Sequence, residues 1–391
     1  MPYLSIRDLD IQGKRLFIRV DFNVPLAKNE QVQVEITSDK RIKASLPTIQ
    51  YALERGAALV LASHLGRPKG KRDPEQSLAP VAARLAELLK VPVAMAPDCV
   101  GPEVEKMLPA PGGVLLLENL RFHPEEEKND PEFSKQLAAL CEIYINDAFG
   151  SAHRAHASTE GITHFVAKKA AGLLMEQELK YLGMVTTAPP RPEVAILGGA
   201  KVSDKIQVIE NLSKIVDRLL IGGAMAYTFL RAQGLPTGKS LVEADKVDLA
   251  KSLMERLGPK LVLPVDHVVV SEIAAGAPYE VVETIPEGKI AVDIGPKTIE
   301  LYAREITGAK TVIWNGPMGI FEKPPFDTGT VALAKAVADS GAISVVGGGD
   351  SEKAIKAAGV TSKISHVSTG GGASLEFLAG DKLPGVVALE Q

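Results

Sequence analysis

Short apolar runs alternate with stretches of helical periodicity along the whole chain. The runs at 15–20, 57–63, 91–95, 114–117 and 142–146 predict strands, as do those at 193–197, 218–221, 260–264, 310–314, 342–346 and 364–368. Several are apolar without alternation, the pattern of strands buried on both faces of a parallel sheet. Between them, segments 77–90, 131–140, 203–212, 246–257 and 328–340 carry apolar residues at helical spacing. This rhythm predicts an α/β protein built of doubly wound parallel sheets covered by helices. At 391 residues the chain exceeds one ordinary core, so two such domains are expected. The boundary falls in 172–192, where a helix-like 173–181 leads into the stiff, proline-rich TTAPPRP at 186–192. The expected division is a first domain at 1–171, an interdomain helix and linker at 172–192, and a second domain at 193–379. A tail at 380–391 is in a position to return to the first domain.

Composition removes several classes of function. Hydrophobic content of 46% and charged content of 24% are those of a soluble globular protein. Aromatics make up only 5%, with one tryptophan, which argues against stacking platforms for single-stranded nucleic acid. The net charge of −4, with basic clusters no larger than KGKR at 69–72, argues against polyphosphate backbones as partners. Cys99 and Cys141 are the only cysteines and are far apart, so the spacing gives neither a disulfide framework nor a metal site. No secretory leader and no apolar stretch of membrane-spanning length is visible, so a cytoplasmic protein is expected.

The first half places polar residues where strands end. RVDFNVP (19–25) closes the first strand, with Asp21 and Asn23 facing the same way in an extended chain. The pair suits a substrate hydroxyl, and it suits equally a cap on the following turn. HLGRP (64–68), NLRFH (119–123) and GSAHRAH (150–156) follow further strands. Ligands of open α/β sheets sit outside those strand ends. A single arginine there is an ordinary surface charge. Arg41, Arg67, Arg121 and Arg154 together form a set, and guanidinium forks match phosphate and carboxylate. Ten of the fifteen arginines precede the linker. His153 and His156 lack a third ligand at suggestive spacing, which counts against a metal there.

The second half is marked by glycine. Two triplets, in SVVGGGDS (344–351) and HVSTGGGAS (366–374), each leave an apolar strand and enter a predicted helix. Glycine lets backbone N–H groups approach an anion, and a helix N-terminus adds about half a positive charge. LGGAKVSDK (197–205) opens the domain as strand, glycine turn and helix from about 203. Lys201 and Lys205, four apart, would then share one face, suited to a nucleotide phosphate or simply to solvent. IGGAM (221–225) is a further glycine turn. WNGPMGIFE (314–322) ends in Glu322, which suits ribose hydroxyls or an ordinary loop. Asp350 suits Mg²⁺ on nucleotide phosphates, and also a helix cap. GLPTGKS (234–240) misses the P-loop by one residue between its glycines and follows a helix-like run, so it reads as a connecting loop. No GxGxxG stands at a strand end, against a standard dinucleotide fold.

In matching order from Arg19 to the C-terminus, RVDFNVP, DKRIKASLPTI, ASHLGRP, ENLRFH, NDAFGSAHRAH, LGGAKVSDK, WNGPMGIFE, GGGDS and STGGGASLE closely resemble phosphoglycerate kinases of bacterial type. The resemblance implies two Rossmann-like domains joined by a hinge, the acid-substrate domain first and the nucleotide domain second. It implies phosphoryl transfer between 1,3-bisphosphoglycerate and ADP, giving 3-phosphoglycerate and ATP, with Mg²⁺, in glycolysis and gluconeogenesis. A cytoplasmic monomer acting on small molecules is implied, without nucleic-acid or membrane partners. Carried over, Asp21, Phe22, Asn23, Arg41, His64, Leu65, Gly66, Arg67, Arg121 and Arg154 hold the glycerate. Gly199, Ala200, Lys201, Lys205, Gly223, Ala291, Asn315, Glu322, Gly347, Gly348, Gly349, Asp350 and Ser351 hold the nucleotide, Asp350 also meeting the metal. Arg41, Lys201, Lys205 and the turn of Gly370, Gly371 and Gly372 serve the transferring group. Three features depart from the commoner pattern: a slightly extended loop at 27–35, Ala291 in place of glycine, and Ser351 in place of threonine.

The chemistry implied is consistent with the residues. A carboxylate acceptor is already ionised at neutral pH, so no general base is required. Positioning and neutralisation of a loose, in-line transition state suffice. Arginines on one domain and glycine amides on the other would have to converge, which predicts domain closure and exclusion of water. A nicotinamide-dependent dehydrogenase would explain the α/β rhythm but not the missing GxGxxG or the arginine set. A hinged binding protein for an anionic sugar would commonly be exported.

Overall fold

All five residues of Ala58–Ala62, Glu193–Leu197 and Thr311–Asn315 are buried, so the apolar runs without alternation are the central strands of their sheets. The computed structural model describes residues 3–28 and 34–390. Two units divide the chain: 1–180 with 382–391, and 181–381.

The first unit contains β1 (Arg15–Arg19), β2 (Leu26–Lys28), β3 (Val34–Ile36), β4 (Ala58–Ala62), β5 (Ala94–Met95), β6 (Val114–Leu116), β7 (Ile143–Asn146) and β8 (Lys169–Ala171). Six of these form one sheet in the order β5-β6-β4-β1-β7-β8. Every neighbouring pair is parallel, so the strand C-termini share one edge. β2 and β3 form a separate antiparallel ladder. Residues 29–33 of the 27–35 loop lie outside the described residues. The helix Lys40–Glu54 was not expected from the sequence: its buried face, Ile42, Ser45, Ile49 and Ala52, is at helical spacing, but Pro47 sits inside it. An interior proline costs a backbone hydrogen bond. Burial of Ile42, Ile49 and Ala52 against the sheet offsets that cost. At the far end of the chain, Gly385 donates its N–H to Ala152 at 2.8 Å and accepts from Asn146 Nδ2 at 3.3 Å, within this same unit.

The second unit contains β9 (Glu193–Leu197), β10 (Arg218–Ile221), β11 (Leu261–Val262), β12 (His267–Val270), β13 (Tyr279–Val282), β14 (Ile290–Ile294), β15 (Thr311–Asn315), β16 (Ile343–Gly347) and β17 (His366–Val367). Its parallel sheet runs β11-β10-β9-β15-β16-β17. Trp314 is fully buried in the core of that sheet. A second sheet, β13-β12-β14, is antiparallel and was not expected from the sequence. β12 is a short apolar run without alternation, and its pairing with β14 shifts register between Val268 and Val269. The helix expected from 203 begins at Ile206. Lys201 and Lys205 therefore precede it and share no helical face, Lys201 being exposed and Lys205 buried.

Candidate functional site

In the first unit the polar motifs gather outside the C-terminal edge of the sheet. β1 delivers Asp21 and Asn23, β4 delivers His64 to Arg67, β6 delivers Asn119 and Arg121, and the segment after β7 delivers Arg154. Asn119 fastens two of these loops. Its Oδ1 accepts from the N–H groups of Leu65 and Arg121, each at 3.1 Å, and its Nδ2 donates to Leu65 O at 2.7 Å. Arg121 donates to Gly66 O at 2.8 Å. Asn23 Oδ1 accepts the Gly66 N–H at 2.9 Å, and Arg41 pairs with Asp21. Asp21 also accepts from Asn23 N–H, so the local turn bond is present as well. Gly66 has φ +63°, and a Cβ there would lie 2.1 Å from Gln76 Oε1. The side chains of Phe22 and Leu65 are buried in the core, and their N–H groups are spent on Ser63 Oγ and Asn119 Oδ1, so neither offers a free donor to a ligand. Arg67 is exposed, and its guanidinium has no partner among the described residues.

His64 lies at the centre of this charge. Its Nδ1 is 3.0 Å from Arg19 Nη2. A guanidinium only donates, so Nδ1 carries the lone pair and Nε2 the proton. Burial, with Arg19, Arg121, Arg41 and Arg154 around it, holds His64 well below the usual histidine range. Burial and much of the same arginine set bring His156 down to about 3. Both imidazoles are neutral, and the arginines alone carry the charge. Arg19 was not among the expected site residues. It is 1% exposed and donates to Ser158 Oγ at 2.8 Å, which in turn donates to the buried Glu126 at 2.6 Å. Arg154 donates to His153 Nε2 at 3.1 Å, so His153 is committed to that arginine. Arg41 is paired with Asp21 and Arg121 with Glu127 at 3.2 Å, while Arg67 keeps unspent donors, so the set is a positive field suited to a compact polyanion.

In the second unit the glycine turns meet each other. Gly198 N–H donates to Asn315 O, Gly199 N–H to Pro317 O and Gly223 N–H to Met318 O, at 2.9–3.1 Å. A Cβ on Gly198 would lie 2.0 Å from Pro317 O, and one on Gly223 2.4 Å from Gly199 O. These turns border a cavity of about 500 Å³ lined by Gly199, Ala200, Gly223, Ala291, Glu322 and Asp350 among the expected residues. Its remaining walls are mainly apolar, including Tyr227, Leu241, Ile273 and Met318, with Lys239 also present. Such a cavity suits a flat base, with polar groups fixing the attached sugar and phosphates. Ala291 N–H is spent on Ser240 Oγ at 3.0 Å.

Lys201, Lys205, Asn315, Gly347, Gly348, Gly349 and Ser351 do not line this cavity. Several are joined to its rim. Lys205 Nζ contacts Asn315 Oδ1, and Asn315 Nδ2 donates to Gly347 O at 2.9 Å. Burial pulls the Lys205 ammonium down to about 8. Ser351 Oγ accepts the Gly316 N–H at 2.6 Å. Gly348, with φ +90°, precedes the helix Gly349–Ala357, whose first turn carries Asp350. Gly370, Gly371 and Gly372 lie apart from the cavity walls, beyond β17 at the sheet edge. Lys239 and Tyr227 were not singled out in the sequence. The glycine-rich GLPTGKS segment was the available signal for Lys239, and it brings that lysine to the cavity without forming a P-loop.

Comparison with known proteins gives a consistent result. A family model described as phosphoglycerate kinase matches residues 6–381. A curated phosphoglycerate kinase of Solibacter usitatus is 81% identical, and one of Acidobacterium capsulatum 60%, each match covering 100% of both chains. The solved phosphoglycerate kinase of Coxiella burnetii superposes with a TM-score of 0.92 at 43% identity, covering 99% of each chain. That of Pyrococcus horikoshii gives 0.84 at 35% identity, covering 99% of this chain and 98% of the other.

Proposed function

The chain belongs to the phosphoglycerate kinase family, and from that premise we propose how its residues divide the work. The reaction is reversible phosphoryl transfer between 1,3-bisphosphoglycerate and ADP, giving 3-phosphoglycerate and ATP. The first unit takes the glycerate. The observation that carries this reading is the gathering of Arg19, Arg41, Arg121 and Arg154 around His64, whose Nδ1 lies 3.0 Å from Arg19 Nη2. Asp21 and Asn23 orient the glycerate hydroxyl, and Arg67, Arg121 and Arg154 hold its charged ends. Neutral His64 offers an Nε2–H donor without adding charge.

The second unit takes the nucleotide, its base against the apolar cavity wall and Glu322 on the ribose. Gly347 to Gly349 and Ser351, with Lys201 and Lys205, serve the phosphates. Asp350, a carboxylate at the cavity, fits Mg²⁺, which binds through one or two carboxylates plus substrate phosphates. When bound, Mg²⁺ neutralises phosphate charge. Arg41, Lys201, Lys205 and the backbone of Gly370, Gly371 and Gly372 stabilise the charge on the phosphoryl group in flight. The transfer is direct, so both ligands must come within bonding reach, and closure of the two units supplies that approach. The protein acts as a cytoplasmic monomer on small molecules, without nucleic-acid or membrane partners. Among the described residues no helix is long and apolar enough to cross a membrane.

The division is tested by two variants. Arg67→Ala is expected to raise KM for 3-phosphoglycerate about 10–100-fold, the worth of a charged hydrogen bond, while leaving KM for ATP nearly unchanged. Glu322→Ala is expected to do the reverse. A change of both KM values together in each variant, or the opposite assignment, would overturn the division.

A further inference from the structure

Three metal-ligating side chains that the reaction does not use meet at one side of the first unit. Asp98 and Cys99 lie in the turn after β5, and His123 follows the short 3₁₀ turn Leu120–Phe122 after β6. His123 Nε2 is 2.6 Å from Asp98 Oδ1, and one ligand atom from each of the three residues lies within 4.8 Å of the others. The sequence concealed this, because Cys99 and His123 are 24 positions apart and on different strands' loops. We propose that Asp98, Cys99 and His123 form a binding site for a zinc-class divalent cation.

The donor set is a thiol, an imidazole and a carboxylate, the combination that suits Zn²⁺ rather than Mg²⁺ or Ca²⁺. Zinc bonds of about 2.0–2.3 Å place tetrahedral ligand atoms roughly 3.3–3.7 Å apart, within reach of small side-chain adjustments here. Two further observations favour a cation. Cys99 is fully buried, and carboxylates predominate among the charged groups near its sulfur, Asp98, Glu118 and Glu126 being set against Arg72. His123 is stacked on Phe133 with ring centroids 5.0 Å apart, which fixes its plane. Access is from the Asp98 side, where 43% of the side chain is exposed, leaving a fourth position for water. Cys99 Sγ now donates to Glu118 O at 3.1 Å. On binding, the sulfur–metal bond replaces the S–H bond and the nitrogen–metal bond replaces the His123 Nε2–H that faces Asp98, and both protons leave to solvent. The ion would tie the turn after β5 to the segment that carries Asn119 and Arg121.

The test is Co²⁺ titration of the reduced, nucleotide-free full-length protein. Thiolate-to-cobalt charge-transfer absorption is the readout, since a metal on carboxylates alone does not give it. The expected result is saturation at one equivalent, with the band displaced by Zn²⁺, abolished in Cys99→Ser and retained in Cys141→Ser. His123→Gln should weaken binding at least about tenfold, the loss typical even of outer-shell partners. His123 is partly exposed, so this variant decides the matter if Cys99→Ser does not fold. Absence of the band in the wild-type protein would overturn the site. So would its loss in Cys141→Ser, or unchanged affinity in His123→Gln.

Discussion

Arg41 and Lys205, both proposed to serve the transferring group, stand in different environments. Arg41 is 41% exposed and paired with Asp21 at the start of the helix Lys40–Glu54, so its guanidinium can change partner at little cost. An ion pair of that exposure contributes only about 0–1 kcal/mol to stability. Arg41→Ala should therefore melt within a few degrees of the parent and lose roughly 10²–10³-fold in kcat, the cost of removing one donor to developing charge. Near-normal turnover in the folded variant would remove Arg41 from the transition state. Lys205 is 8% exposed, and burial brings its ammonium down to about 8. The charged form is the one present below that pH. Hence kcat/KM for the nucleotide, which reports the free enzyme, should fall as pH rises through about 8. Lys205→Arg, with a guanidinium that stays charged, should lose that alkaline limb. A wild-type profile flat well above pH 8 would contradict the assignment. At this scale the sequence displayed the arginines that end strands. It did not single out Arg19, the last residue of β1, whose contact with His64 comes from the side-by-side pairing of β1 with β4.

At the scale of elements, the glycine turns serve two distinct purposes. Gly198 and Gly316 permit close backbone crossing: a Cβ on Gly316 would lie 2.2 Å from Gly198 O. Gly349 has nothing within 4 Å of where its Cβ would be. Gly198→Ala should thus cost about 1–3 kcal/mol through overpacking and lower the melting temperature. Gly349→Ala should leave melting nearly unchanged and weaken nucleotide binding, because its Cβ would occupy the space proposed for phosphate. Equal destabilisation by both would show that open space is not what glycine provides at 349. The strand-to-helix glycine turns were legible because the parallel strands are continuous apolar runs, such as Val194–Leu197 within β9. The helix Lys40–Glu54 was hidden by Pro47, and the sheet β13-β12-β14 by the lack of alternation in β12 and by exposed Tyr279 and Val281. Local pattern fails where tertiary burial outweighs a breaker or an interrupted period.

For the whole molecule, the two-sheet architecture and the family were legible from ordered motifs, since all of them but DKRIKASLPTI, which opens the helix Lys40–Glu54, stand where a parallel strand ends. The apolar cavity was legible only in part. Tyr227, Leu241 and Ile273 come from a helix, a loop and the region after β12, and side chains this far apart in sequence leave no common pattern. The central claim is that an arginine cluster on one unit and a glycine-bordered cavity on the other serve one phosphoryl transfer. Its most direct test is a coupled assay of the purified protein with 3-phosphoglycerate, Mg-ATP and a dehydrogenase that consumes 1,3-bisphosphoglycerate. NADH oxidation that requires both substrates and Mg²⁺ is the predicted result. A folded protein that binds both ligands yet oxidises no NADH would contradict the account.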